Sequence, residues 1–269
     1  MCNESAMIYF LSDAHLGSRA LPDAADNQRK VVDLLRRMER DAEAVYMLGD
    51  MFDFWYEYLW HDPTKAEYTP FLDQLQSMTR KGIRIHYFVG NHDLWTFGWL
   101  ARRTGVVVHR NPGTVTCYGK TIFLGHGDGV MPSDWQTLYP PFILKKIKRF
   151  MFLRRVFHSR PLQQLFRLVP PKWGNAFGYN WAADSRRKEL AKPCPYKGEQ
   201  QEELVLFAKE QERIGKHHDY YVFGHRHIEL DLQITRNSRV LILGDCFQQW
   251  TYAALSPQGI LTMRNFINI

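Results

Sequence analysis

Cysteine is scarce in this sequence: among 269 residues only Cys2, Cys117, Cys194 and Cys246 carry a thiol, and no two stand as a C-x-x-C pair. That spacing argues against a thiolate zinc site and points to a reducing compartment. Long apolar runs are also missing. Residues 7–11 are the only apolar stretch before Asp13, too short for the core of a signal peptide, and nothing approaches the length of a membrane span. There is no Gly-x-Ser-x-Gly elbow, and the glycine-rich stretch at 125–127 is not followed by Gly-Lys-Ser/Thr, which discounts a phosphate cradle. Internal repeats and low-complexity tracts are absent. Acidic residues are few in one region: residues 131–200 hold 14 Lys and Arg against 4 Asp and Glu, a net of +10, while the other 21 against 24 give −3. One segment thus carries the whole basic excess and calls for an anionic partner there, whether phosphate, nucleic acid or lipid headgroup.

What the chain does have is a series of apolar runs that stop abruptly in metal-ligand residue types. Residues 44–48 read as a buried strand ending in Gly49-Asp50, with Asp53 three residues on. Carboxylates at such strand ends face the edge where open α/β sheets bind ligands. The run 7–11 ends in Asp13-Ala14-His15, 83–89 in Gly90-Asn91-His92-Asp93, 121–124 in Gly125-His126-Gly127-Asp128, and 220–223 in Gly224-His225-Arg226-His227. A lone Gly-Asp is a turn and a lone histidine an ordinary structural residue. Five such endings in order are not five coincidences, and carboxylate, amide and imidazole together suit a borderline divalent metal.

Helical spacing places a crossover helix over 27–40 and others over 70–80 and 199–214, while 106–108, 114–117, 229–235, 240–243, 251–255 and 260–266 read as strands. Between Asp53 and residue 60 stand Phe54, Trp55, Tyr56, Tyr58 and Trp60, which serve either as core or as the wall of a ligand groove. Residues 131–200 interleave Ile143, Ile147, Phe150 and Met151 with Lys145, Lys146, Lys148 and Arg149, and the pattern repeats over 162–169. These are basic amphipathic helices bounded by prolines: an ordinary helical subdomain, or a cap that touches lipid. Ser185-Arg186-Arg187-Lys188 is a compact cationic group that either clamps phosphate or sits in water.

The five endings together resemble the calcineurin-like metallophosphoesterase superfamily, over the whole chain except 131–200. The resemblance implies an α/β (α+β) fold: a four-layer sandwich of two mixed β-sheets flanked by helices, with core segments 1–130 and 201–269 and a helical cap inserted between them. It implies two divalent ions, one held by Asp13, His15, Asp50 and His227 and the other by Asp50, Asn91, His126 and His225. The donors suit manganese, iron or zinc, with manganese the expected ion. His92, backed by Asp93, would serve catalysis by stabilising the phosphorane or protonating the leaving oxygen, with Asp53 and Asp128 behind the ligands. The stretch 52–58, the 185–188 group, Leu243-Gly244-Asp245 and the helical insertion resemble the UDP-2,3-diacylglucosamine diphosphatase branch of lipid A synthesis; His92 stands where well-known proteobacterial members carry Arg. In that branch the substrate is a lipid-linked nucleotide, here contacted by Asn91, His92, Ser185, Arg186, Arg187 and Lys188. The enzyme is cytoplasmic and peripheral on the inner membrane, and no nucleic acid is expected. The rivals are a nuclease or phosphodiesterase of the same superfamily, whose basic insertion grips nucleic acid, and a non-catalytic scaffold.

Overall fold

The computed structural model describes residues 6–60, 66–192 and 195–267; Cys2 and Cys194 lie outside them. The chain opens as a βαβ unit, β1 (Met7–Leu11), α1 (Ala24–Met38) and β2 (Ala42–Leu48), and continues through α2 (Thr69–Arg80), β3 (Arg84–Phe88), α3 (Trp99–Thr104) and β4 (Val107–His109). A hairpin of β5 (Gly113–Cys117) and β6 (Lys120–Gly125) leads into three helices, α4 (Pro141–His158), α5 (Arg160–Phe166) and α6 (Pro171–Ala191). Then come α7 (Glu203–Arg213), β7 (Tyr220–Phe223), β8 (Leu230–Thr235), β9 (Ser238–Ile242), β10 (Thr251–Leu255) and β11 (Leu261–Asn265).

The strands form two mixed sheets, ordered β11-β10-β1-β2-β3-β4 and β5-β6-β7-β9-β8. Central strands are buried on both faces, so they read as continuous apolar runs and not as alternation. In β1, Ile8 and Phe10 face the other sheet and meet Leu124, Val222 and Leu241, while Tyr9 and Leu11 face α1 and α2 and meet Val31, Leu35 and Leu75. On the far side of the second sheet, Leu204, Val205 and Ala208 of α7 cover Tyr221, Phe223 and Val240. The order is helix, sheet, sheet, helix, which is the four-layer sandwich expected from the sequence. Parallel pairing of β1 with β2 and β2 with β3, and of β6 with β7 and β7 with β9, brings their carboxyl ends to one edge.

Three elements differ from the sequence expectation. The helix expected over 199–214 starts only at Glu203, because a turn over 198–202 in which Gly198 O accepts from Gln201 N and Glu202 N precedes it. Helix α3 carries no periodic signal in six residues. Its N-terminus is capped from a distance, by the buried Glu57 carboxylate, which accepts from Trp99 N at 2.9 Å, Leu100 N at 3.0 Å and also Phe97 N. Helix α6 contains Gly174 and Gly178, which lower helix propensity. Both are there for packing: a Cβ at Gly174 would lie 2.5 Å from Tyr58 Oη, and one at Gly178 would overlap the Phe54 ring.

Candidate metal centre

At the common sheet edge the chain leaves its strands in strained backbone. Of the seven non-glycine residues with positive φ among the described residues, five are Asp13 (55°), His15 (43°), Asp50 (53°), His225 (68°) and His227 (48°). Each such conformation costs on the order of 1–3 kcal/mol, and such residues cluster at functional sites. Cross-links between the turns hold them there. Asp13 N donates to Gly49 O, and His15 N to Asp50 O, each at 3.0 Å. His92 N donates to Asp50 Oδ1 at 2.8 Å, and His225 N to Asp13 Oδ2 at 2.9 Å.

Two histidines are held through their Nδ1 atoms, and the Nδ1 of a third lies beside a carboxylate without a hydrogen bond to it. His126 Nδ1 donates to Leu48 O at 2.8 Å, His227 Nδ1 meets Glu189 Oε1 at 2.9 Å, and His15 Nδ1 lies 3.3 Å from Asp53 Oδ1. Each Nε2 is turned to the centre: His126 Nε2 is 3.3 Å from Asp50 Oδ2, His227 Nε2 is 3.1 Å from Asp13 Oδ1, and His15 Nε2 is 3.8 and 3.9 Å from Asp13 Oδ1 and Asp50 Oδ2. A fixed outer nitrogen with an inner lone pair presented to carboxylates is how proteins build imidazole metal ligands. The buried Asp13 Oδ1 accepts no hydrogen bond among the described residues, which leaves it for a cation. Donor atoms of Asp13, His15 and His227, of His15, Asp50 and His92, and of Asp50, His126 and His225 lie within 4.8 Å of one another in each set. Asp50 recurs in two sets, and Asn91 Oδ1 joins the last at 3.2 Å from His126 Nε2. The residues present therefore fit a pair of divalent ions.

The electrostatics follow from burial and charge. Burial opposes ionisation of Asp50, but His126 and His92 beside it hold its carboxyl far below the usual range. Burial drives His225 down to about 4, helped by His126. His227 resists burial: Asp13 and Glu189 lift it to about 9. His92 is pushed below its ordinary value by burial, against the pull of Asp50, and its Nδ1 donates to Asp53 O at 2.7 Å.

Asp93 does not back His92 as the sequence suggested. Its carboxylate accepts from Met51 N at 2.9 Å, Gly90 N at 2.6 Å and Tyr87 Oη at 2.5 Å, so it ties the second and third turns together; His92 takes its orientation from Asp53 O. Asp53 stands behind His15. Asp128 reaches away to the helices, bonding Arg154 Nε at 2.6 Å with His158 Nε2 at 3.6 Å, and these partners outweigh burial to hold it at about 2. The group 185–188 does not act as one: α6 turns only Arg186 inward, and leaves Ser185, Arg187 and Lys188 exposed, with Arg187 paired to Asp184 at 2.9 Å.

Sequence reasoning missed Glu189 and Asp245 as site residues. Asp245 Oδ1 accepts from the main-chain N–H groups of Phe247, Gln248 and Gln249 at 3.1, 2.6 and 2.9 Å, while Oδ2 lies 3.7 Å from His227 Nδ1. Its signal was present, a Gly-Asp after a strand like the other endings. Glu189 offered only its place three residues beyond Arg186 on a helix.

The sequence model of the calcineurin-like phosphoesterase family matches residues 6–229. The chain belongs to this family. Among curated relatives of this phosphoesterase, one from Porphyromonas gingivalis named UDP-2,3-diacylglucosamine hydrolase is 35% identical over 257 residues, covering 91% of this chain and 92% of the relative. Proteins of the same name from Aeromonas salmonicida and Neisseria gonorrhoeae are each 26% identical, over 261 and 191 residues; the first covers 92% of this chain and 89% of its own length, the second 69% and 70%.

Proposed function

We propose that this phosphoesterase hydrolyses the pyrophosphate bond of UDP-2,3-diacylglucosamine, giving UMP and 2,3-diacylglucosamine 1-phosphate. The observation that carries the reading is a cavity of about 550 Å³ that runs from Asn91 and His92 at the metal centre out under the inserted helices. Its wall is apolar, with Phe54, Trp95, Phe157, Phe166 and Trp173 among its lining. A phosphoryl site continuous with an apolar cavity of this size suits a phosphate ester that carries hydrocarbon. The aromatic stretch after Asp53 is thus both core and groove: Phe54 and Tyr56 line the cavity, and Trp55 is buried against Phe52.

Asp13, His15, Asp50 and His227 would hold one ion and Asp50, Asn91, His126 and His225 the other, with manganese the proposed metal. Bound there, such a pair would supply Lewis acidity toward phosphoryl oxygens and lower the pKa of a bound water. The protein's own part is positioning and proton traffic. Because Nδ1 of His92 is committed to Asp53 O, Nε2 is the atom that exchanges a proton with substrate or leaving oxygen. Asp53, Glu189 and Asp245 keep the imidazoles in register.

We also assign 131–200 as the cap between core segments 1–130 and 201–269, and as a surface for the inner membrane. No residue of the 18-residue α4 is buried. Phe150, Leu153, Arg154, Phe157 and His158 form the stripe that lines the cavity, while Phe142 and Phe152 stand exposed among Lys145, Lys148, Arg149 and Arg155. Trp173 and Phe177 of α6, which also line the cavity, are 71% and 73% exposed. Exposed aromatics mixed with cations suit an anionic lipid surface better than a nucleic acid backbone. No helix of the described residues is long and apolar enough to cross a membrane.

Incubating the protein with manganese and UDP-2,3-diacylglucosamine should release UMP in proportion to enzyme. Turnover of a small phosphodiester without release of UMP from this lipid would redirect the reading to another phosphodiesterase. Vesicle binding that falls with detergent more than with salt is expected of the cap, and the reverse would favour nucleic acid.

A further inference from the structure

A buried arginine from α6 reaches into the metal centre. Arg186 is 1% exposed, and its Nη2 stands 2.5 Å from His15 Nε2. Nη1 is paired with Glu189 and lies 3.4 Å from His227 Nδ1, Nε is 3.9 Å from Asp53 Oδ1, and Cζ stacks 5.1 Å from the Phe247 ring centroid. A guanidinium has donors only, so Nη2 donates and His15 Nε2 accepts. An imidazole nitrogen has one lone pair. That pair is the one an ion between Asp13 and Asp50 would need, and it cannot serve both partners at once.

Among the described residues, the second position has no such rival. His126 Nε2 faces Asp50 Oδ2 at 3.3 Å and Asn91 Oδ1 at 3.2 Å, whereas among the described residues Arg186 is in contact with His15, His227, Glu189, Asp53 and Phe247. We propose that Arg186 is a built-in competitor for the metal position formed by Asp13, His15 and His227, making it the weaker and more exchangeable of the two. A cation arriving there displaces the guanidinium from His15 while the Glu189 carboxylate keeps it nearby. Because Arg186 belongs to α6, occupancy of that position is tied to the placement of a cap helix. The inference rests on the two-metal reading.

The test is a titration of the metal-stripped full chain with cobalt(II), followed by absorption and by competition with a chelator, to give two stepwise affinities. Arg186→Gln should tighten the weaker step by about tenfold or more, the equivalent of about 1.4 kcal/mol, and leave the tighter step within about threefold. Arg186→Met is the second variant should the first fail to fold. Arg187→Gln removes the same charge from an exposed site one residue on, and should move neither step. Equal tightening of both steps by Arg186→Gln would reduce the effect to general charge and overturn the proposal, as would no change or a loss of affinity in the weaker step. A wild-type chain that takes up no cobalt would instead overturn the metal centre itself.

Discussion

Gly224, between the end of β7 and His225, allows the sharpest perturbation of the centre by a single methyl group. A Cβ there would lie 2.5 Å from both Asp13 Oδ2 and Ser12 Oγ and 2.8 Å from Ser12 Cβ. Ordinary contact begins above 3 Å, so in Gly224→Ala the ends of β1 and β7 must separate, with the carboxylate retreating by about 0.5 Å or more. Asp13 Oδ2 is also the acceptor for His225 N at 2.9 Å. Overpacking costs about 1–3 kcal/mol, and weakening a charged hydrogen bond adds up to about 3 kcal/mol, so a loss of about 1–6 kcal/mol is expected in urea unfolding. Misplacing Asp13 and His225 should weaken metal binding by about 10–100-fold, the range for disturbed support of a ligand. Gly82→Ala is the control. It sits at φ 88° with nothing within 4 Å of the new Cβ, so it should cost stability of about 1–2 kcal/mol and leave metal content unchanged. Metal content by elemental analysis and unfolding in urea read both effects. Full metal content and wild-type stability in Gly224→Ala would refute the view that this contact fixes the centre.

Asp50→Ala should abolish metal-dependent turnover while far-UV circular dichroism stays that of the wild type; a near-wild-type kcat with added manganese would remove Asp50 from the centre. His92→Ala should lower kcat with both metals retained, and loss of a metal ion would make His92 a ligand, consistent with its place within 4.8 Å of His15 and Asp50 donors. His86 tests the pH dependence away from the site. Burial, with His109 at 2.9 Å, lowers it to about 4, so between its ordinary value near 6.5 and about 4 the unfolded chain binds the extra proton. Stability should therefore fall as pH drops through that window, and in His86→Phe, which keeps the stack on Tyr46, the fall should be smaller; an unchanged acid limb would place its origin elsewhere.

The sequence by itself determined the fold class and the residue types of the centre. Apolar runs buried on both faces do not depend on distant partners to be recognised, and a turn residue after a strand end is a local signal, so β1, β2, β3, β6 and β7 and the endings that follow them were legible. What only tertiary structure decided is which groups meet. Helix α3 is capped by Glu57, some forty residues away, and α6 keeps two helix-weakening glycines because they fit against Tyr58 and Phe54; neither cause lies within the helix itself. The same limit separated Arg186 from its neighbours in the 185–188 group, gave Asp93 to the loops and not to His92, and brought Glu189 to His227. Local chemistry names the donors, but partner and direction are set by the packing of elements far apart in the chain, and no spacing along the sequence encodes that.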